Sequence, residues 1–131
     1  MSAVTSEAEL RACFRDIDRD EVELAAELVL PLAVDRVVGW IVGPRAFLLF
    51  RERAGAPVRG LVLHTATGGR PDRLGMCHAC HAVRGRGVIK LMTVRVDERS
   101  TVGLFMCSDL RCLLAGDATS VRRIGELAAR I

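Results

Sequence analysis

The stretches CHAC at residues 77–80 and CSDLRC at residues 107–112 hold four of the five cysteines. Thiolates are soft ligands that bind Zn²⁺ tetrahedrally, and two short-spaced pairs on separate elements can close a cage of four sulfurs. The two pairs therefore predict one structural zinc ion. The predicted ligands are Cys77, Cys80, Cys107 and Cys112.

Length and composition indicate one domain in a reducing compartment. The chain has 131 residues, of which 50% are apolar, so it can bury a core of its own. Its start lacks the basic region of a secretory signal, and its apolar runs are too short to span a membrane. We therefore expect a cytoplasmic protein without membrane contact. In the reducing cytoplasm, close cysteine pairs more often bind metal than form disulfides.

The charge is unevenly distributed along the chain. Residues 1–27 carry eight acids and three arginines, whereas residues 28–131 carry sixteen bases and eight acids. The formal net charge is +3, and a zinc ion with four thiolates would lower it to about +1. All the bases except Lys90 are arginine, a bias that a GC-rich genome would produce without any phosphate-binding role. Charge alone therefore does not indicate nucleic acid.

The first 36 residues are predicted to form an acidic, helical segment. Ser6 and Glu9 have the spacing of a capping box and predict a short amphipathic helix over about 6–13. Asp18 and Asp20 are good N-caps, and apolar residues at helical spacing predict a second helix over about 20–29. Pro31 would end it.

From residue 37 onward the pattern changes to β-branched and aromatic clusters divided by glycine and proline. The predicted antiparallel strands are 37–42, 46–51, 58–65, 88–95 and 101–106. The first cysteine pair forms a knuckle between the third and fourth of them. The second pair opens a helix with Ser108 as its N-cap and Gly116 as its stop, and a last helix is predicted over about 120–130.

A knuckle, a hairpin and a helix that carries the second ligand pair follow one another in treble-clef order. The CxxC turn directs two sulfurs to one point, and a helix start supplies N–H groups and a positive dipole end beside thiolates. The expected fold class is α+β, an antiparallel sheet with a treble-clef zinc finger, short N-terminal helices and a C-terminal helix. Residues 1–131 form a single predicted domain, with the acidic segment at 1–36, the sheet and finger at 37–116 and the last helix at 117–131.

Other interpretations of the first cysteine pair stay open. With His81 it satisfies CxxCH, the attachment sequence of c-type haem, for which Met92 or Met106 would be a distal ligand. The missing signal and the unused second pair speak against haem. A redox CxxC should follow a strand in a βαβ unit, which the pattern does not show. His81 replacing one cysteine ligand is the main remaining alternative.

The other candidate residues favour structural roles. His64 lies in an apolar strand and Cys13 on an apolar helical face, so we expect a core or edge histidine and a buried free thiol. The chain has no Walker loop, dinucleotide fingerprint or Ser/His/Asp arrangement. Four thiolates leave zinc no open position for hydrolytic chemistry. We expect no catalytic residue and infer no small-molecule substrate.

Longer motifs around the cysteines resemble a known family. They span about residues 38–116 and comprise Gly39-Trp40, Arg45-Ala46-Phe47-Leu48, Met76-Cys77-x-x-Cys80-His81, Gly87-Val88-x-x-Leu91-Met92 and Val102-Gly103-x-Phe105-x-Cys107-x-Asp109-Leu110-x-Cys112. This part of the chain resembles the FBP-type treble-clef zinc finger, the C-terminal domain of elongation factor G-binding proteins, which include fusidic-acid-resistance proteins. The resemblance implies the same four zinc ligands and a platform that binds elongation factor G on the ribosome.

Two functions follow as expectations. The first is a non-catalytic, zinc-stabilised module that docks on elongation factor G or the ribosome. The second is an RNA-binding zinc finger, whose contacts would be Arg84, Arg86, Lys90, Arg95 and Arg99 on the knuckle and hairpin. One Trp, four Phe and no Tyr leave few rings for stacking on bases.

Overall fold

Nine strands and three α-helices make up the described part of the chain. The structure is a computed structural model that describes residues 3–53, 55–66, 74–85, 88–115 and 117–131. In chain order, the elements are β1 (Ala3–Val4), α1 (Glu7–Ala12), a 3₁₀ turn (Arg19–Glu21), β2 (Leu32–Ala33), β3 (Val37–Val42), β4 (Arg45–Phe50), β5 (Arg59–Thr65), β6 (Leu74–Met76), β7 (Val83–Gly85), β8 (Ile89–Arg95), β9 (Thr101–Cys107), α2 (Arg111–Leu114) and α3 (Ala118–Arg130).

A five-stranded antiparallel sheet in the order β3-β4-β5-β8-β9 is the frame of the molecule. β3 and β4 are joined by a two-residue turn in which Gly43 has a φ of +59°, a conformation that glycine adopts at no steric cost. In the β8–β9 turn, Asp97 Oδ1 accepts hydrogen bonds from the backbone N–H groups of Arg99 and Ser100, each at 2.8 Å. All five predicted strands are confirmed to within one residue at each end.

β4 is buried on both faces, so the sheet separates two apolar cores. Successive strand residues point to opposite sides. Ala46, Leu48 and Phe50 pack toward α2 and α3, whereas Phe47 and Leu49 pack against the N-terminal segment. The Trp40 and Phe47 rings stack in this second core, with centroids 5.6 Å apart. The N-terminal segment is therefore part of the packed structure and covers one face of β3, β4 and β5.

The first predicted helix is confirmed as α1. Ser6 Oγ accepts a hydrogen bond from Glu9 N at 3.1 Å, which is the capping interaction that the spacing predicts. The Glu9 carboxylate bonds to Thr5 Oγ1 at 2.6 Å. Cys13 follows α1 as a partly buried free thiol whose pKa is raised by burial and, secondarily, by the Glu9 carboxylate.

The second predicted helix, over 20–29, is wrong. Only the 3₁₀ turn Arg19–Glu21 forms there, and the chain then runs extended or in turns as far as β2. The Glu23 carbonyl, which a helix would need for an internal hydrogen bond, accepts instead from Trp40 Nε1 at 2.7 Å. The Glu23 carboxylate also pairs with Arg45 at 2.8 Å. Tertiary contacts to the sheet have overridden the local helical periodicity.

A cluster of charged side chains fastens the 3₁₀ turn to the sheet. Asp18 is fully buried and accepts from the Arg15 guanidinium at 2.9 Å, and burial raises the pKa of this carboxyl despite that partner. Glu21 pairs with Arg95 on β8 at 3.1 Å, and its other oxygen lies 2.7 Å from His64 Nε2, outside the angles of a hydrogen bond. His64 thus lies half-buried in the sheet beside the Glu21 carboxylate.

The C-terminal helix is confirmed and starts two residues before the predicted position. Asp117 is its N-cap and accepts from Ser120 N at 3.1 Å and from Ser120 Oγ at 2.7 Å. The predicted stop of the preceding helix, Gly116, lies outside the described residues. Among the residues that the structure describes, no helix is long and apolar enough to cross a membrane.

Substituting Gly60 tests how closely the N-terminal segment is packed on the sheet. A Cβ at Gly60 would lie 2.6 Å from atoms of the buried Phe14 ring. We expect Gly60→Ala to lower the free energy of unfolding by about 1–3 kcal/mol, as overpacking does in other cores. The matched control is Gly103→Ala, whose Cβ would meet only Leu91 Cδ1 at 3.4 Å. Equal urea midpoints for the two variants would contradict this packing.

Candidate metal centre

The first cysteine pair lies in a knuckle between two short strands. β6 and β7 pair with the register Met76↔Val83, and the intervening turn is held by hydrogen bonds from Cys77 N to Ala82 O at 2.9 Å and from His81 N to Cys77 O at 2.8 Å. His81 has a φ of 63°, in the left-handed region that lets the chain reverse after the second cysteine. The turn therefore brings the two sulfurs to the same side.

The second pair lies where β9 gives way to α2. Cys107 is the last residue of the strand, and Cys112 is the second residue of the helix. The predicted Ser108 cap is wrong: Leu110 occupies the N-cap position with a φ of 59°. Asp109 Oδ1 accepts instead from Arg111 N at 3.1 Å. A left-handed residue allows the sharp change of direction that a strand needs to enter a helix.

The four sulfurs converge on one point. All four Sγ atoms lie within 4.8 Å of one another, and the distance is 3.7 Å both for Cys77–Cys112 and for Cys80–Cys107. A tetrahedron of sulfurs around zinc, with Zn–S bonds of about 2.3 Å, has edges of about 3.8 Å. The spacing and the softness of the donors fit one Zn²⁺ held by these four cysteines.

The electrostatics of the cage indicate that it needs a cation. The pKa of the Cys77 thiol is lowered to about 4, first by a hydrogen bond from Cys112 and then by backbone N–H groups that include those of Cys80 and Cys107. The pKa of Cys107 is raised to about 11 by burial and by the negative Cys77. The pKa of Cys112 is also raised, because it donates to Cys77 and faces the other thiolates. One thiolate forms readily, and a divalent ion would allow the others to ionise.

Histidine is not among the grouped ligands of the cage. Within the described residues, the grouped metal-ligating side chains are the four cysteines alone, so His81 does not replace any of them. The cage also engages both sulfurs of the CxxCH motif, which covalent haem attachment would consume. Cys13 stands apart after α1, and its Sγ lies 3.4 Å from Glu9 O.

A brace between the knuckle and the last helix was not foreseen from the sequence. Arg123 Nη1 donates to Ala79 O at 2.7 Å, which ties α3 to the CxxC turn. His78 N donates to Phe105 O at 2.7 Å and ties the same turn to β9. The Arg123 bond joins residues 44 positions apart, and no local pattern indicates such a pairing.

The predicted partner contacts are spread over different environments. Arg95 is already paired with Glu21 inside the protein, and Arg86 lies outside the described residues. Arg84 is exposed and donates to its neighbouring Val83 carbonyl at 2.7 Å. Lys90 and Arg99 are also exposed. For these three residues, a contact with a partner stays a prediction.

Removing one ligand should remove the metal. We expect Cys107→Ser to lose stoichiometric zinc and to unfold the region from β6 onward, because structural zinc supplies about 10 kcal/mol or more of folding free energy in comparable sites. Elemental analysis and amide NMR spectra measure both effects. The matched control is Cys13→Ser, which should keep one zinc ion per chain. A folded Cys107→Ser protein with one zinc ion would contradict the four-sulfur site.

Replacing His81 by glycine separates its backbone role from ligation. The left-handed conformation costs a residue with a Cβ roughly 1–2 kcal/mol, and glycine avoids that cost. We therefore expect His81→Gly to keep one zinc ion and to stay within about 1 kcal/mol of the original stability, since glycine also loses more entropy on folding. Loss of zinc from this variant in elemental analysis would restore His81 as a ligand.

Comparison with known proteins identifies the family. A search of curated proteins and a search of solved structures each give no significant match. A comparison with protein-family models matches the FBP C-terminal treble-clef zinc-finger over residues 9–125. This match contains all four cage cysteines and reaches into the N-terminal segment, beyond the 38–116 region in which the motifs were recognised. The chain therefore belongs to the FBP C-terminal treble-clef zinc-finger family.

Proposed function

We propose that this chain is a non-catalytic binding module, in which zinc holds a rigid surface that docks on elongation factor G or on the ribosome. The observation that carries the proposal is the closed four-sulfur cage. Catalytic zinc sites keep one coordination position for water or substrate, and a cage of four thiolates fills all four positions. The metal then has a structural role, and the function belongs to the surface it supports.

The β6–β7 hairpin is a surface element that the cage holds directly. Its turn contains Cys77 and Cys80 and is tied to β9 through His78 and to α3 through Arg123. Three attachments of different kinds limit its motion. A hairpin held in this way loses little conformational entropy when a partner binds.

One side of this hairpin is apolar and exposed. Leu74 and Met76 alternate along β6, and Met76 pairs with Val83 on β7, so all three point to the same side. Their exposed fractions are 67%, 52% and 47%. Exposed apolar residues grouped on a rigid element are typical of protein interaction sites. Exposed Arg84 and Lys90 nearby in the chain would favour a partner with an acidic rim.

The choice of partner rests on the family resemblance, which implies binding of elongation factor G. Such a partner agrees with a cytoplasmic location, where the thiols of the cage stay reduced. The RNA-binding alternative has less support, because Arg95 is paired with Glu21 within the protein. In addition, the rings of Trp40 and Phe47 stack on each other in the core and are not free to stack on bases.

A substitution on the apolar side of the hairpin tests the proposal. We expect zinc-loaded protein to bind purified elongation factor G with a micromolar or lower Kd in calorimetry. Met76→Glu should weaken binding at least about tenfold, since a charge would be buried at the centre of the contact. The matched control is Val29→Glu, on a side chain that is 73% exposed in the N-terminal segment.

Equal affinities for the two variants would remove the hairpin as the docking surface. If the unsubstituted, zinc-loaded protein shows no binding at concentrations about 100-fold above one micromolar, elongation factor G is not the partner.

A further inference from the structure

A cleft of about 270 Å³ lies between the cysteine knuckle and the last two turns of α3. It is separate from the apolar side chains of the β6–β7 hairpin. The residues that line it are His78, His81, Arg123, Glu126, Leu127 and Arg130. Four of these six side chains have nitrogen donors, and they come from both walls of the cleft.

These donors are largely unused by the protein itself. Arg123 Nη1 donates to Ala79 O, and this hydrogen bond fixes the position of the guanidinium at the cleft. Within the described part of the chain, the two imidazoles and the Arg130 guanidinium make no hydrogen bond or ion pair. The only carboxylate of the lining, Glu126, lies 3.9 Å from Arg122.

We propose that this cleft binds a phosphate group. A guanidinium offers two parallel N–H donors that match an oxyanion, and Arg123 is held in place before any ligand arrives. The imidazoles of the knuckle supply donors from the opposite wall. A tetrahedral phosphate can accept from both walls at once, whereas a planar carboxylate directs its acceptors along one plane.

The charges around the cleft favour an anion with more than one negative charge. Arg123 and Arg130 together carry more positive charge than Glu126 and the carbonyl end of α3 offset, so the net attraction grows with the negative charge of the ligand. Two guanidinium groups attract a phosphate dianion about twice as strongly as a carboxylate at the same distance. The ligand class is therefore a phosphate or phosphate ester, and the site does not depend on docking to elongation factor G.

The test uses the full, zinc-loaded chain and inorganic phosphate as the probe. Amide and arginine side-chain NMR signals are followed at constant ionic strength, because exposed charges are screened by salt. We expect phosphate to cause saturable shifts confined to residues 78–81 and 123–130. The apparent affinity for acetate should be at least about tenfold lower than that for phosphate. Saturable shifts elsewhere, or equal affinity for acetate, would overturn the assignment.

Two arginine substitutions give a matched comparison. Arg130→Gln removes one guanidinium from the cleft and should weaken phosphate binding about tenfold, the usual effect of one charged hydrogen bond. Arg99→Gln removes the same charge from an exposed residue of the β8–β9 turn that does not line the cleft, and it should leave affinity within about twofold. Glu126→Gln should tighten binding severalfold. Equal effects of Arg130→Gln and Arg99→Gln would show a diffuse charge effect and would overturn the site.

Discussion

Four sulfur atoms that lie within 4.8 Å of one another cannot all be negative unless a cation lies between them. This repulsion is the constraint on which the C-terminal half depends. Cys77 and Cys80 come from one turn, and Cys107 and Cys112 come from the junction of a strand and a helix. A zinc ion converts their mutual repulsion into an attachment between these segments. Without it, the β6–β7 hairpin would be attached through backbone hydrogen bonds, the Arg123 contact and the packing of buried residues such as Ala79.

The sheet has buried apolar side chains on both faces, and a different part of the chain covers each face. The α2–α3 side is covered by a helix that the metal site helps to place, whereas the opposite side is covered by a segment with little regular structure. That segment is fixed by specific polar contacts, such as the Trp40 indole on the Glu23 carbonyl and the Arg95–Glu21 pair. Two of its acids, Glu21 and Glu23, pair with arginines of the sheet.

The accuracy of the sequence-based predictions follows the range of the interactions involved. The capping of α1 by Ser6 and the strand positions depend on neighbours a few residues away, and they were predicted correctly. The helix over 20–29 failed because this segment packs on the sheet through Val22, Leu24 and Leu28 without forming a helix. Val29, which belongs to the predicted apolar face, is exposed instead. The Ser108 cap failed because the chain reverses at Leu110 in a left-handed conformation that no sequence rule indicates for leucine.

The sequence by itself determined the metal chemistry, the sheet and the order of the finger elements, because residue type, spacing and alternation are local properties of the chain. Only the tertiary structure decided which of the basic side chains remain available. It paired Arg95 with Glu21, bound Arg123 to the knuckle, and brought His78 and His81 to the cleft lined by Arg130. Such pairings join residues that are 44 to 74 positions apart, and they exist only because the packed sheet and the four-sulfur cage bring those residues together.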